Sequence, residues 1–246
     1  MNLIKSVLVA LTALSLLSTD HLAQAQGNIN PGDVQQTTGA LIVGLEFKGT
    51  PGVRYMPGAF CAATLVVHTN ILLTAKECAQ KFVRLQKSSA DQPVVLSYIP
   101  HENKFGQPNR VIKFLTPENQ QEQWALAILD HPLEAVKTAR LSSAISSLRS
   151  LDILSFAVNF DDPFGPRPIL RSNYNPNVSK IIQRNGEYLL TGRLLALGGT
   201  IRVYENGIQT VIAVVVGFKT VTIDGQAQKV AVVVSVDKDQ ILRLLN

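Results

Sequence analysis

Short apolar runs recur from residue 40 to residue 236, each bounded by polar or turn-forming residues. The first group is ALIVGLEF (Ala40–Phe47), FCAATLVVH (Phe60–His68), ILLT (Ile71–Thr74), FVRLQ (Phe82–Gln86), PVVLSYI (Pro93–Ile99), RVIKFL (Arg110–Leu115) and WALAIL (Trp124–Leu129). A second group is LDILSFAV (Leu151–Val158), GTIRVYE (Gly199–Glu205), IQTVIAVVVGF (Ile208–Phe218) and KVAVVVSV (Lys229–Val236). Runs of this length, rich in β-branched residues and often alternating, predict strands. Gly49-Thr50-Pro51-Gly52, Asn206-Gly207 and Asp224-Gly225 separate them. Asn206-Gly207 predicts a two-residue hairpin, because that dipeptide accepts the positive φ that such turns demand. Many short strands at regular spacing mean a sandwich or barrels.

One helix is predicted, over 237–245. Asp237 is its cap and Gln240 stands three residues on, in the manner of a capping box. Ile241, Leu242, Leu244 and Leu245 form its apolar stripe. The serine-rich stretch RLSSAISSLRS reads as a linker, dividing a first β unit at about 38–140 from a second at about 150–235. Asp161-Asp162 in a Pro-rich loop reads as a polar turn rather than a Ca²⁺ site, since no further carboxylates are spaced as ligands.

The first 25 residues change the picture. Lys5, an apolar core from Val7 to Leu17, and Ala23-Gln24-Ala25 together form a secretory signal, so residues 26–246 are the expected mature chain and an extracellular location is expected. The net charge of +5 is scattered and lacks a basic stripe with interleaved aromatics, so neither nucleic acid nor a membrane is an expected partner. Two cysteines, Cys61 and Cys78, predict one disulfide, a free redox pair being the alternative. With four histidines they give no metal-ligand spacing, and no metal or cofactor is expected. Asn177-Val178-Ser179 is a glycosylation sequon, with Asn177 the acceptor.

The stretch FCAATLVVHTNILLTAKECA resembles the chymotrypsin-type serine protease family, whose members carry C-G-G-x-L-I, a polar turn, then V-L-T-A-A-H-C. The matching letters are Cys61, Leu65, Val66, the turn His68-Thr69-Asn70, then Leu73-Thr74-Ala75 before Cys78. INPGD (Ile29–Asp33) falls where that family has its mature start, and EQWALAILDHPL resembles D-I-A-L-L-x-L-x-x-P. PILRSNYNPNVS is similar to a second-barrel strand, LLALGGTIRV falls where G-D-S-G-G-P-L belongs, and VIAVVVGF resembles L-V-G-I-V-S-W-G. The resemblance covers nearly all of residues 26–246. It implies an all-β fold of two six-stranded antiparallel β-barrels, trypsin-like, with a C-terminal helix.

The same resemblance places Glu77 at the catalytic histidine, Gln123 at the aspartate and Leu197 at the serine nucleophile. Leu195 and Ala196 stand where the oxyanion glycine and the ordering aspartate belong, and Thr191 at the base of the specificity pocket. Acyl transfer needs a hydroxyl, an imidazole to take its proton and a carboxylate to orient the imidazole. None of these is present at its position, so the expectation is an inactive homologue, not an enzyme. Glu77 itself reads as a solvated carboxylate paired with Lys76 or Lys81.

Fold and function are separate questions. The loops of such a scaffold are a ready recognition surface, and the chain is similar to the oomycete glucanase inhibitor proteins in its signal, its broken triad and its length. The resulting expectation is a secreted, monomeric protein that binds another secreted protein, as inhibitor or decoy of a hydrolase such as a host endoglucanase. One alternative is an active hydrolase with a relocated nucleophile, but Asp130 and His131 are adjacent and so point apart on a strand, and His68 and His101 have no serine or cysteine near them in the motif map. Another is a carbohydrate- or surface-binding module using Tyr55, Tyr98 and Trp124, although Trp124 beside Ala125 and Leu126 also suits a core position.

Overall fold

A computed structural model describes residues 37–46, 53–89, 93–100, 109–134, 137–142, 156–159, 169–172, 181–191, 196–205 and 208–246, with backbone alone at 53–60, 156–159, 169–172, 203–205 and 208–209. The signal at 1–25, INPGD, Tyr55's side chain, His101, Asp161-Asp162, Asn177, Leu195 and Asn206-Gly207 lie outside this description, as does most of the linker.

The first unit runs β1 (Thr38–Glu46), β2 (Val53–Leu65), β3 (Ile71–Ala75), α1 (Lys76–Ser88), β4 (Val94–Pro100), β5 (Asn109–Leu115) and β6 (Trp124–Leu129). Its strands close into a barrel in the order β1-β2-β3-β6-β5-β4. The second unit has β7 (Arg140–Leu141), β8 (Phe156–Asn159), β9 (Ile169–Ser172), β10 (Ile181–Arg184), β11 (Glu187–Leu190), β12 (Thr200–Glu205), β13 (Ile208–Ile223) and β14 (Gln226–Ser235), then α2 (Lys238–Leu245). Its main sheet has the order β10-β11-β14-β13-β12 with β7 parallel to β13, and β8 pairs with β9. The chain is thus all-β, with one closed six-stranded barrel, a second sheet curled into a half-barrel among the described residues, and a helix at the end.

The apolar runs of β3 and β6 are continuous because both faces of each strand are buried. Leu72 points into the barrel beside Leu41, Leu65 and Leu129, whereas Ile71 and Leu73 join Trp124, Leu126, Val214 and Ile241 in a core shared with the second sheet and α2. This is the period-two alternation of a strand carried between two cores. Each fully buried leucine contributes about 2 kcal/mol. A third core, Leu190, Ile201, Ile212, Val215 and Val233, fills the curl of the second sheet.

Three sequence expectations need correction. Phe82–Gln86 is not a strand but the middle of α1, whose buried Cys78, Ala79 and Phe82 face inward, with Leu85 packed one turn further along. Over Cys78–Leu85 the apolar spacing is helical, and Val83 is an exposed residue. Ile181–Leu190 is absent from the expected strands, yet β10 and β11 form a hairpin at Asn185-Gly186, φ 52 and 78, the dipeptide signature of a type I′ turn. Gln240 does not complete a capping box. Asp237 accepts the amide of Asp239 at 2.8 Å, but the Gln240 carboxamide donates to Glu122 at 2.9 Å.

Asp224-Gly225 turns β13 into β14 with φ 51 and 78, and Glu205 pairs with Ile208 across residues 206 and 207. Tyr98 and Trp124 are 0% and 1% exposed, so neither serves as a surface aromatic. Among the described residues no helix is long and apolar enough to cross a membrane.

One buried cation links the two units. Arg202 of β12, 2% exposed, donates to the hydroxyls of Thr37 at 2.7 Å and Thr38 at 2.6 Å. It also reaches Thr64 and Thr200, and those two hydroxyls bond each other at 2.9 Å. Burial pushes the Arg202 guanidinium down to about 9, against a smaller opposing effect of nearby Tyr98. Burial raises the Tyr98 phenol, and Arg202 opposes that shift.

Candidate functional site

The corner where β3 gives way to α1 is built from local needs. Ala75 is the N-cap and offers no side-chain oxygen, so the first helical amides need other acceptors. The Lys76 amide finds one in the backbone carbonyl of Gln123, at 2.7 Å. The neighbouring register pair, Ala75 with Trp124, holds β3 and β6 together at the same level. Glu77 follows in the first turn of α1, where the positive end of the helix dipole favours a carboxylate. Its side chain pairs with Lys81 at 3.0 Å, with the two side chains 42% and 52% exposed. The solvated-carboxylate reading, with Lys81 as partner, therefore describes its surroundings.

Cys78 is buried and bonded to Cys61, with Cα atoms 6.2 Å apart, as expected. Next to Cys61, the Ala62 amide donates to the carbonyl of Leu197 at 2.8 Å. Leu197 lies in a tight turn closed by the Gly199 amide on the Ala196 carbonyl at 3.0 Å. Gly198 then bonds to the Val215 carbonyl, and the Val215 amide returns to Gly199, each at 2.8 Å. Gly198 has φ +81, and a Cβ there would overlap the Ala62 carbonyl and the Thr74 hydroxyl. The turn can only be made by glycine. The Leu197 side chain packs on the core that contains Cys61 and Cys78.

Glu77, Gln123 and Leu197 are thereby gathered around one disulfide by three local ties: the Lys76–Gln123 bond, the Cys61–Cys78 bridge and the Ala62–Leu197 bond. Gln123 is exposed, and its amide donates to the carbonyl of Gln120. Ala196 lies half-buried in the Leu197 turn, and Thr191, also half-buried, follows β11. The trio holds one carboxylate and no hydroxyl, thiol or imidazole. Leu197 is hydrocarbon and Gln123 is a neutral amide. Thr74, the nearest hydroxyl along β3, is fully buried and donates to the Ala62 carbonyl at 2.9 Å.

The described histidines do not supply a substitute at this corner. His68 precedes β3 and His131 follows β6, and the pairing of Ile71 with Ile128 sets both at the end of those antiparallel strands opposite to Ala75 and Trp124. Asp130 shares that far end, its amide bonded to Arg110.

No family model matches the chain, and no curated protein is similar to it at a significant level.

Proposed function

We propose that the chain is an exported relative of the chymotrypsin-type serine proteases that has no working triad and acts by binding another secreted protein, as inhibitor or decoy of a hydrolase such as an endoglucanase. The observation that carries this reading is that two backbone bonds, Lys76 to Gln123 and Ala62 to Leu197, and the Cys61–Cys78 disulfide link the segments that carry Glu77, Gln123 and Leu197. Three separate sequence segments assigned to a triad on motif grounds meet at one corner of a closed six-stranded barrel. Supporting it are the disulfide itself, the glycine turn after Leu197 and the C-terminal helix packed on the shared core. The chemistry of the three side chains favours recognition over acyl transfer as the role of this surface.

The test has two arms. Purified protein is incubated with a serine-directed phosphonate probe and with peptide and ester substrates; no labelling and no turnover are expected. Immobilised protein is then presented with purified secreted hydrolases, endo-β-1,3-glucanases included, and a stable complex with loss of the hydrolase's activity is expected. Probe labelling that disappears on mutating one serine would overturn the inactive reading. A complete absence of complexes across the hydrolase panel would overturn the inhibitor reading.

A further inference from the structure

A groove of about 680 Å³ opens between the β5–β6 loop, the β10–β11 hairpin, β14 and the start of α2. Its volume lies within the roughly 300–1,000 Å³ of small-ligand sites. Valines 216, 232, 233 and 234 contribute its apolar part. The polar part is rich in carboxamides: Asn119, Gln121, Gln123 and Gln240, joined by Tyr188 and Ser235. Two carboxylates, Glu122 and Glu187, also line it, and both are already engaged, by the Gln240 amide and by Lys219. No lysine or arginine is among its described lining residues.

We infer that this groove binds a neutral carbohydrate. A carboxamide presents a donor and an acceptor side by side, the complement of a sugar's neighbouring hydroxyls, and a phenol presents both a polar tip and an apolar face. Much of that capacity is unspent within the protein. Among the described residues the Gln121 side chain, the Tyr188 hydroxyl and the Ser235 hydroxyl make no hydrogen bond, and Gln123 uses only its Nε2. An anionic ligand would meet two carboxylates and no lining cation. Lys219 neutralises Glu187, which leaves Glu122, bonded to the neutral Gln240 amide, as the one uncompensated charge among the described lining residues. A neutral polyol donates its hydroxyls to that carboxylate and to the carboxamides, and the valines take its C–H faces. The inference is independent of the protease-family reading, although Gln123 belongs to both surfaces.

The full chain is titrated by calorimetry with neutral oligosaccharides of the β-1,3-glucan, β-1,4-glucan, chitin and mannan types, and with an anionic oligogalacturonide. At least one neutral oligosaccharide binds and the anionic one does not. The double variant Gln121→Ala, Gln123→Ala, at two exposed loop positions, weakens binding about tenfold or more, since two hydrogen-bonding groups are lost, and leaves the unfolding midpoint in place. The inference is overturned if no neutral oligosaccharide binds at millimolar concentration, if the double variant binds as well as the parent, or if the anionic ligand binds equally. Capture of a secreted hydrolase alongside blank titrations sinks this inference alone; sugar binding without any hydrolase complex sinks only the inhibitor reading.

Discussion

The amide of Ala62 donates to the carbonyl of Leu197 at 2.8 Å, so the neighbour of a disulfide cysteine is tied to the turn that opens the second sheet's β12–β13 hairpin. The next residue, Gly198, sits directly on the same Ala62 carbonyl with φ +81. Gly198→Ala adds left-handed strain of about 1–2 kcal/mol and an overlap costing about 1–3 kcal/mol. The expected loss is about 3 kcal/mol in denaturant unfolding, with Gly225→Ala, whose Cβ meets no neighbour within 4 Å, losing only the strain. Equal losses at the two glycines would refute the close approach at Gly198.

The Cys61–Cys78 bridge closes a loop of sequence separation 17. Cys61→Ala with Cys78→Ala is expected to cost about 3 kcal/mol, because the unfolded chain regains the freedom that the loop denied it. Because the bridge also positions α1, the loss should appear as faster hydrogen exchange in α1 as well as a lower unfolding midpoint.

Tyr98 is fully buried and its hydroxyl has no hydrogen-bond partner. Tyr98→Phe removes an unsatisfied polar atom and is expected to stabilise the protein by about 1 kcal/mol at pH 7. Burial raises this phenol in the folded state. Above about pH 10 the unfolded chain loses the proton while the folded chain keeps it, so the parent loses stability as pH rises. Arg202, held down to about 9 by burial, loses the smaller opposing effect of Tyr98 in the variant, and that change acts in the same direction. The difference between parent and variant should therefore widen as pH rises above about 9 in favour of the phenylalanine variant. Unfolding curves from about pH 7 to pH 11, spanning the unfolded phenol's titration, check this, and an unchanging difference would contradict it.

Glu77 is half-exposed and bonded to Lys81 one helical turn on. Glu77→Gln should cost only about 0.5 kcal/mol, from the ion pair and the helix dipole together, and the loss should vanish in about 1 M salt. A loss of about 2 kcal/mol or more, beyond the range of an exposed pair, would show that Glu77 does something other than hold a helix end.

Placing Leu197→Ser, Glu77→His and Gln123→Asp in one protein should give no measurable amidase activity. Triad members act as a unit, and the exposed position of Gln123 gives an aspartate no buried seat beside an imidazole. Leu197→Ser alone should lower stability by about 2 kcal/mol, as a side chain is removed from the core around Cys61 and Cys78. Turnover of a peptide substrate by the triple variant would count against this account.

The strands of the first barrel and the long strands of the second sheet were legible because their cores demand it: Ile71, Leu72 and Leu73 are apolar on both faces. The disulfide was legible from cysteine count alone. The helix α1 was not, because a five-residue window over Phe82–Gln86 alternates like a strand, and only the longer spacing from Cys78 to Leu85 shows the helical period. Asn185-Gly186 did carry a hairpin signal, but the flanking IIQR and EYLL are half polar and do not announce strands. Arg202 was illegible for a different reason. A charged residue in an alternating strand reads as outward-facing, and three of the four threonines that receive it lie 138 to 165 positions away. The groove was equally hidden, since its carboxamides come from a loop and a helix about 118 positions apart along the chain.

Arg202 also sets the order in which this molecule can be finished. Thr37 and Thr38 stand at the entry to the first strand of the first barrel, yet the guanidinium they help surround is synthesised 165 and 164 residues later. Contacts of such long range make assembly slow, because the entropy of closing the chain is spent before the contact is gained. The start of β1 therefore lacks this donor until the sheet made last is in place. A nascent chain that stops short of β12 holds a β1 whose beginning has not yet met its anchor.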